Sequence, residues 1–126
     1  MQLSFVTITG NNNEGWDVTQ KSFPGPNFEV VKKALTHTGG LISAAAEAKK
    51  IAQAFQLTCV PQDVGVVFIA PHFGFYIVKL LKPDDTVENI SIKIEEKEQA
   101  ENEARALALR GNHAFVCSDP IVIQIN

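Results

Sequence analysis

The chain has 126 residues, of which 45% are hydrophobic and 20% charged, and its formal net charge is −3. These totals are typical of one globular domain; the chain has no basic stripe to bind nucleic acid and no apolar run near the roughly 20 residues that span a bilayer. The chain begins Met1-Gln2-Leu3 without a basic region followed by an apolar core, so we expect a cytoplasmic protein without a signal peptide.

The first predicted element is a β-hairpin. Residues 3–9 alternate as a strand does, and residues 16–21 are the returning strand. Between them, residues 10–15 are rich in glycine and asparagine, which tolerate positive φ.

The segment that follows has two interpretations. Residues 28–35 fit a strand with Val31 and Leu35 in register, or a short helix capped by Asn27. We favour the strand, because the second half of the chain has a clearer strand at the corresponding place.

An alanine-rich helix comes next, with Ser43 as its predicted N-cap. It carries one apolar stripe at helical spacing. The stripe consists of Ala44, Ala48, Ile51, Ala52 and Phe55. A short strand at residues 57–60 ends this half of the chain.

The second half repeats this order. Residues 64–69 and 75–81 form a second predicted hairpin, and alternating isoleucines predict a half-buried strand over residues 89–95. The second helix ends near Gly111 and is followed by a strand at residues 114–117. Its apolar stripe is Ala100, Ala104, Leu107 and Ala108.

The two halves superimpose in sequence. A shift of 59 residues places Trp16 on Phe75, and a shift of 56 places one alanine stripe on the other. We therefore predict a tandem pseudo-repeat of antiparallel β-β-β-α(-β) units, about residues 1–61 and 62–126. The expected fold is α+β, a single domain with one sheet and both helices on one face.

Residues 64–69 and 75–81 are apolar on both strand faces, so both faces require cover. Two helices cover one face of the predicted sheet. Either the sheet curls over on itself or a second subunit covers the other face. We expect the second subunit, in a homodimer or a higher oligomer.

The search for catalytic and metal sites gives no constellation. His37, His72 and His113 lack metal-ligand spacing, and Cys59 and Cys117 are too far apart in sequence to complete a zinc site. We expect two buried thiols, with a disulfide or redox pair as the alternative. No catalytic residue, metal ion or cofactor is predicted.

Three sets of residues are candidates for binding. An aromatic set lies at or near hairpin turns, where aromatic side chains anchor protein interfaces. A glycine-rich set begins the first helix, where backbone N–H groups can bind an anion. An acidic set follows the second hairpin and could dock a basic partner. The sets are His72, Phe73, Tyr76 and Trp16; Gly39, Gly40 and Ser43; and Asp84, Asp85, Glu88, Glu95, Glu96 and Glu98. Trp16 has a core role as its alternative.

By elimination, the sequence predicts a non-catalytic protein-binding module, such as a small cytosolic inhibitor, adaptor or phage-type accessory protein. Two alternatives stay open. One is a protein that binds an anionic metabolite or nucleotide between repeats or subunits. The other is a small enzyme whose site assembles across subunits.

Overall fold

The computed structural model describes residues 3–116 and 122–123. The chain divides into two compact units, the first ending at Gln62 and the second beginning at Asp63. No helix in the described part of the chain is long and apolar enough to cross a membrane.

The first unit contains four strands and one helix. They are β1 (Leu3–Asn11), β2 (Gly15–Phe23), β3 (Val31–Thr38), α1 (Leu41–Phe55) and β4 (Thr58–Val60), with a 3₁₀ turn at Pro26–Phe28. The strand order is β3-β2-β1-β4, in which β4 runs parallel to β1 and the other neighbours are antiparallel. The strand interpretation of residues 28–35 is thus confirmed from Val31 onward.

The second unit has the same order of elements with one strand added. They are β5 (Val66–His72), β6 (Phe75–Leu81), β7 (Val87–Asn89), α2 (Lys97–Gly111), β8 (Ala114–Val116) and β9 (Val122–Ile123). The strand order is β7-β6-β5-β8-β9, and β8 runs parallel to β5.

The α+β class is confirmed, but the prediction of a single sheet is wrong. The described residues form two sheets, one in each unit. In each unit the strand after the helix pairs in parallel with the first strand of the same unit, β4 with β1 and β8 with β5. All strand pairings among the described residues lie within one unit, so two sheets form.

A row of buried alanines on each helix forms the helix side of the core. Small side chains let the helix approach the sheet closely, and a β-sheet with one apolar face needs such cover. The first core contains Val6, Val18, Ala48 and Ala52, and the second contains Val67, Val78, Ala104 and Ala108. Phe55 does not belong to its predicted stripe, because it is the last residue of α1 and its side chain is 67% exposed.

The correspondence between the two hairpins differs from the predicted one by one residue. The cores place Val18 in the position of Val78, a shift of 60 residues, so Trp16 corresponds to Tyr76 and not to Phe75. A shift of one residue moves every strand side chain to the opposite face. Trp16 is accordingly buried, and Tyr76, although half-buried, packs against the second core, which Phe75 does not.

The helix ends also differ from the prediction. Gly40 is the N-cap of α1 and no side chain caps it, so the predicted Ser43 cap is wrong. Both helices end at a residue with left-handed backbone, Gln56 and Asn112. Gly111 is therefore the last helical residue, and asparagine supplies the left-handed conformation that it tolerates well.

The predicted continuous strand over residues 89–95 is wrong. β7 is short, and the Ser91 hydroxyl then accepts a hydrogen bond from the Val78 backbone N–H at 2.9 Å. A side chain thus takes the place of a backbone carbonyl, and pairing resumes only where Ile94 meets Tyr76. The Ile90 and Ser91 N–H groups both donate to the Val78 carbonyl, at 2.9 and 3.3 Å, so residues 90–93 form a bulged segment along β6.

Both faces of β5 are covered. Four successive side chains are buried, those of Val66, Val67, Phe68 and Ile69. This burial is present in a single chain, so β5 does not require a second subunit for its cover. A homo-oligomer stays a prediction.

Candidate functional site

The β5–β6 turn presents an exposed aromatic ring. His72 and Phe75 are the last paired residues, so the turn consists of Phe73 and Gly74. Both have positive φ, 47° and 82°, as a type I′ turn requires. Asparagine followed by glycine is the preferred pair there, because a bulky side chain in the left-handed region is strained. The Phe73 side chain is 90% exposed, and its ring meets the His72 ring edge to face, with centroids 4.8 Å apart.

The first unit has a comparable residue, Phe28, which the sequence interpretation missed. Its φ is 57° and its side chain is 81% exposed. The local backbone is closed by two hydrogen bonds, from Phe28 N–H to the Gly25 carbonyl at 3.2 Å and from Gly25 N–H to the Glu29 carbonyl at 2.8 Å. The composition of residues 24–27, two prolines with glycine and asparagine, was the signal for a turn at this place.

Phe28 and Phe73 stand apart from the other non-glycine residues with positive φ in the described part of the chain. Those others are Asn27, Gln56, Asp63, Asp85 and Asn112. Asparagine and aspartate tolerate this region, and Gln56 ends a helix. Each unit thus holds one phenylalanine that is both strained and exposed.

The rest of the predicted aromatic set lies deeper. Tyr76 packs against the second core, and its backbone exchanges hydrogen bonds of 2.7 and 2.8 Å with Ile94. Trp16 is 8% exposed, and its indole N–H has no hydrogen-bond partner in the described part of the chain. Its burial fits the core role and not the contact role.

The predicted glycine-rich set lies together at the start of α1. Gly39, Gly40 and Ser43 are all exposed. The Gly40 carbonyl accepts hydrogen bonds from the Thr38 hydroxyl at 2.9 Å and from the Ala44 N–H at 3.0 Å. Anion binding at this helix start stays a prediction.

The acidic set divides into two groups at opposite ends of β6. Asp84, Asp85 and Glu88 lie in or after the turn between β6 and β7, and Glu95, Glu96 and Glu98 lie beside the start of α2. The second group follows Ile94, which pairs with Tyr76 near the Phe73 turn. The seven residues of β6 separate the groups by about 20 Å.

Side chains of the first acidic group make hydrogen bonds and an ion pair with nearby residues. Asp84 accepts hydrogen bonds from the Thr86 hydroxyl at 2.6 Å and the Thr86 N–H at 3.1 Å, and these bonds lower the pKa of Asp84. The Lys82 ammonium lies 3.0 Å from the Glu88 carboxylate, and their hydrogen bond raises the pKa of Lys82. These contacts stabilise the turn, and docking of a basic partner at this group stays a prediction.

Asp17 and His37 form a pair that sequence reasoning did not connect. They are opposite each other in the β2–β3 ladder, and Asp17 Oδ1 lies 2.7 Å from His37 Nδ1. A carboxylate that orients an imidazole is typical of general bases. Within residues 3–116, the His37 ring hydrogen-bonds to Asp17 and to no hydroxyl or thiol. Only the strand register could have revealed the pair.

A cleft of about 460 Å³ lies on the second unit between the bulged segment and α2. Its lining is mainly apolar, with one acidic and one basic side chain. The lining residues are Val78, Ile90, Ser91, Ile92, Glu103, Ala106, Leu107 and Arg110. Ile92 is 86% exposed, so one apolar residue of the lining is almost fully in contact with water.

Burial raises the pKa of the Cys59 thiol, and the nearby Lys49 ammonium opposes this in part. Cys117 lies outside the described residues. We predict that Cys59, in a Cys117→Ser background, reacts with iodoacetamide more slowly than free cysteine, because less thiolate is present at a given pH. Its rate should continue to rise at pH values where that of free cysteine has levelled off. Lys49→Met should move this rise to still higher pH. A Cys59 rate that levels off together with that of free cysteine would contradict the prediction.

Among the described residues, no three histidine, cysteine, aspartate or glutamate side chains are grouped as a metal ion requires. Comparison of the chain with protein-family models, curated proteins and solved structures gave no match. The most unusual exposed side chains in the described residues are those of Phe73 and Phe28.

Proposed function

We propose that the protein is a non-catalytic protein-binding module whose contacts are anchored by Phe73 and Phe28. The observation that carries this proposal is the left-handed backbone of two exposed phenylalanines. Each is strained by about 1 kcal/mol and leaves a large apolar side chain in water. Strain of this kind persists where a side chain has a role outside the fold.

The chemistry of the partner follows from the Phe73 turn. A rigid two-residue turn projects one aromatic ring, which fits an apolar pocket on a protein surface. The neighbouring carboxylates of Glu95, Glu96 and Glu98 are balanced in part by Lys93 and Lys97, which leaves a local charge of −1. The aromatic ring is therefore the main determinant of binding, and a weakly basic rim on the partner is secondary.

Phe73→Asn should raise the free energy of unfolding by about 0.5–1 kcal/mol, because asparagine suits the first position of a type I′ turn. Phe28→Asn should also raise the free energy of unfolding. Phe55→Asn is the matched control, since Phe55 is exposed but helical, and it should give no gain. Thermal and urea unfolding followed by circular dichroism measure these differences. A loss of stability in Phe73→Asn would show that the ring supports the fold.

The binding role is tested with the same three variants. Proteins captured from a lysate on the immobilised wild-type chain are quantified by mass spectrometry and compared with those captured on each variant. The proposal requires a protein that Phe73→Asn or Phe28→Asn loses and Phe55→Asn retains. Equal capture by all three would refute it. A small anionic molecule retained in native mass spectra would favour the metabolite-binding alternative. The cytoplasmic location is proposed from composition alone.

A further inference from the structure

Four of the cleft residues come from α2 and form one stripe at helical spacing: Glu103, Ala106, Leu107 and Arg110. The stripe lies beside the buried alanine row that faces the sheet. Leu107 is half-buried and the other three are exposed. The stripe is therefore an outer face of the helix.

The two charged residues of the stripe have no side-chain partner among the described residues. Neither Glu103 nor Arg110 makes an ion pair or hydrogen bond through its side chain with any residue in the described part of the chain. They are seven positions apart, about 10 Å along the helix, so they do not pair with each other. Within the described residues, the stripe therefore has an unpaired negative charge at Glu103, an unpaired positive charge at Arg110, and apolar residues between them.

The charges of this stripe are complementary to those of a second copy of the same stripe. The midpoint between Glu103 and Arg110 falls between Ala106 and Leu107. When a second α2 helix runs antiparallel across a two-fold axis at that point, Glu103 of one protomer faces Arg110 of its partner, and the reverse contact follows from symmetry. Ala106 of one protomer then faces Leu107 of its partner. We propose that the α2 face of the cleft is a self-association surface through which two copies of the chain form an antiparallel dimer.

Other properties of this surface agree with a second copy as its occupant. The dimer would remove from water the exposed side chains that border the cleft. They are Ile92 and Ile90, with exposed fractions of 86% and 40%. The small Ala106 side chain allows the helix axes to approach to about 8–10 Å. Antiparallel helices also place opposite ends of their dipoles side by side.

The corresponding face of α1 provides an internal comparison. A shift of 56 residues places Glu47, Lys50, Ile51 and Ala54 on the four stripe residues of α2. In the same antiparallel arrangement Glu47 would face alanine, and Lys50 would be placed at the apolar centre. The complementarity is therefore a property of α2 and not of the repeated helix in general.

Charge reversal tests the proposal. Glu103→Arg and Arg110→Glu, each alone, replace two attractive contacts in the dimer by two repulsive ones, and should weaken dimerisation by about ten- to a hundredfold. The double variant Glu103→Arg/Arg110→Glu restores both attractions and should dimerise as the wild type does. Glu47→Arg is the matched control and should have no effect. Analytical ultracentrifugation reports the change between twice 13.8 kDa and 13.8 kDa.

Each outcome decides the proposal. A wild-type monomer at micromolar to millimolar concentration would overturn it, as would single variants that dimerise normally. A double variant that stays monomeric while its circular dichroism and melting match the wild type would also overturn it. Higher salt should weaken the wild-type and the double-variant dimers alike, because both depend on exposed charges. The surface does not include Phe73 or Phe28, so its failure would leave the protein-binding proposal standing.

Discussion

The Phe115→Ala variant is expected to lose about 3–5 kcal/mol of unfolding free energy, a large part of the roughly 5–15 kcal/mol that holds a typical domain folded. Phe115 on β8 is fully buried in the core of the second unit. The Arg105 guanidinium lies 5.6 Å from its ring centroid, so the ring packs against both apolar and charged groups. Removing the ring leaves a cavity that the alanines of α2 are too small to fill.

The same position in the first unit supplies the control. Cys59 on β4 corresponds to Phe115, is half-buried, and packs against the first core. Cys59→Ala should cost about 1 kcal/mol, because a much smaller volume is removed. Urea unfolding must be followed by circular dichroism, since the single tryptophan, Trp16, reports on the other unit. Equal losses for the two variants would contradict the packing derived for β8.

Gly10→Ala is expected to destabilise the first hairpin by about 3–5 kcal/mol, from backbone strain and steric overlap together. Gly10 has a φ of 145°, and a Cβ atom there would overlap the Gly15 carbonyl oxygen and lie 3.0 Å from Trp16 Cα. Both obstacles are backbone atoms of the paired strand β2, so the clash is relieved only by opening the ladder.

The Gly74→Ala variant separates the effect of backbone strain from that of steric overlap. Gly74 also has a positive φ, 82°, but a Cβ atom there meets nothing within 4 Å. Its substitution should therefore cost only the backbone strain, about 1–2 kcal/mol. Trp16 fluorescence should shift to the red in Gly10→Ala, because the clash displaces a buried indole, and should stay unchanged in Gly74→Ala. If the two variants lose equal stability, the steric contribution at Gly10 is absent.

Periodicity was enough to predict both hairpins, both helices and the buried alanine rows. These features depend on residues close together in sequence, whose spacing identifies the buried face. The single sheet was predicted wrongly because nothing local indicates which strand a helix returns to. The shift between the hairpins was wrong by one residue for a similar reason, since Phe75 and Tyr76 are both aromatic and either could match Trp16.

The candidate site was less accessible to sequence reasoning. Phe73 was found because it lies in the predicted link of the second hairpin, where aromatic side chains anchor protein interfaces. Phe28 was missed, because the same residue also fits the start of a strand or helix. The Asp17–His37 pair requires the strand register, and the self-complementary stripe of α2 requires knowledge of which helix face the sheet already covers. The Asp17–His37 pair and the α2 stripe depend on long-range pairing, which composition and spacing do not encode.

In each unit the first strand pairs with the strand that follows the helix, and this has a consequence for synthesis on the ribosome. When β1, β2, β3 and α1 have been translated, one edge of β1 still lacks its partner, because β4 comes only at Thr58–Val60. Unpaired strand edges recruit other chains. Until β4 is translated, the nascent chain therefore has an unpaired strand edge that promotes aggregation and that a chaperone can cover. The same holds for β5 until β8 is made.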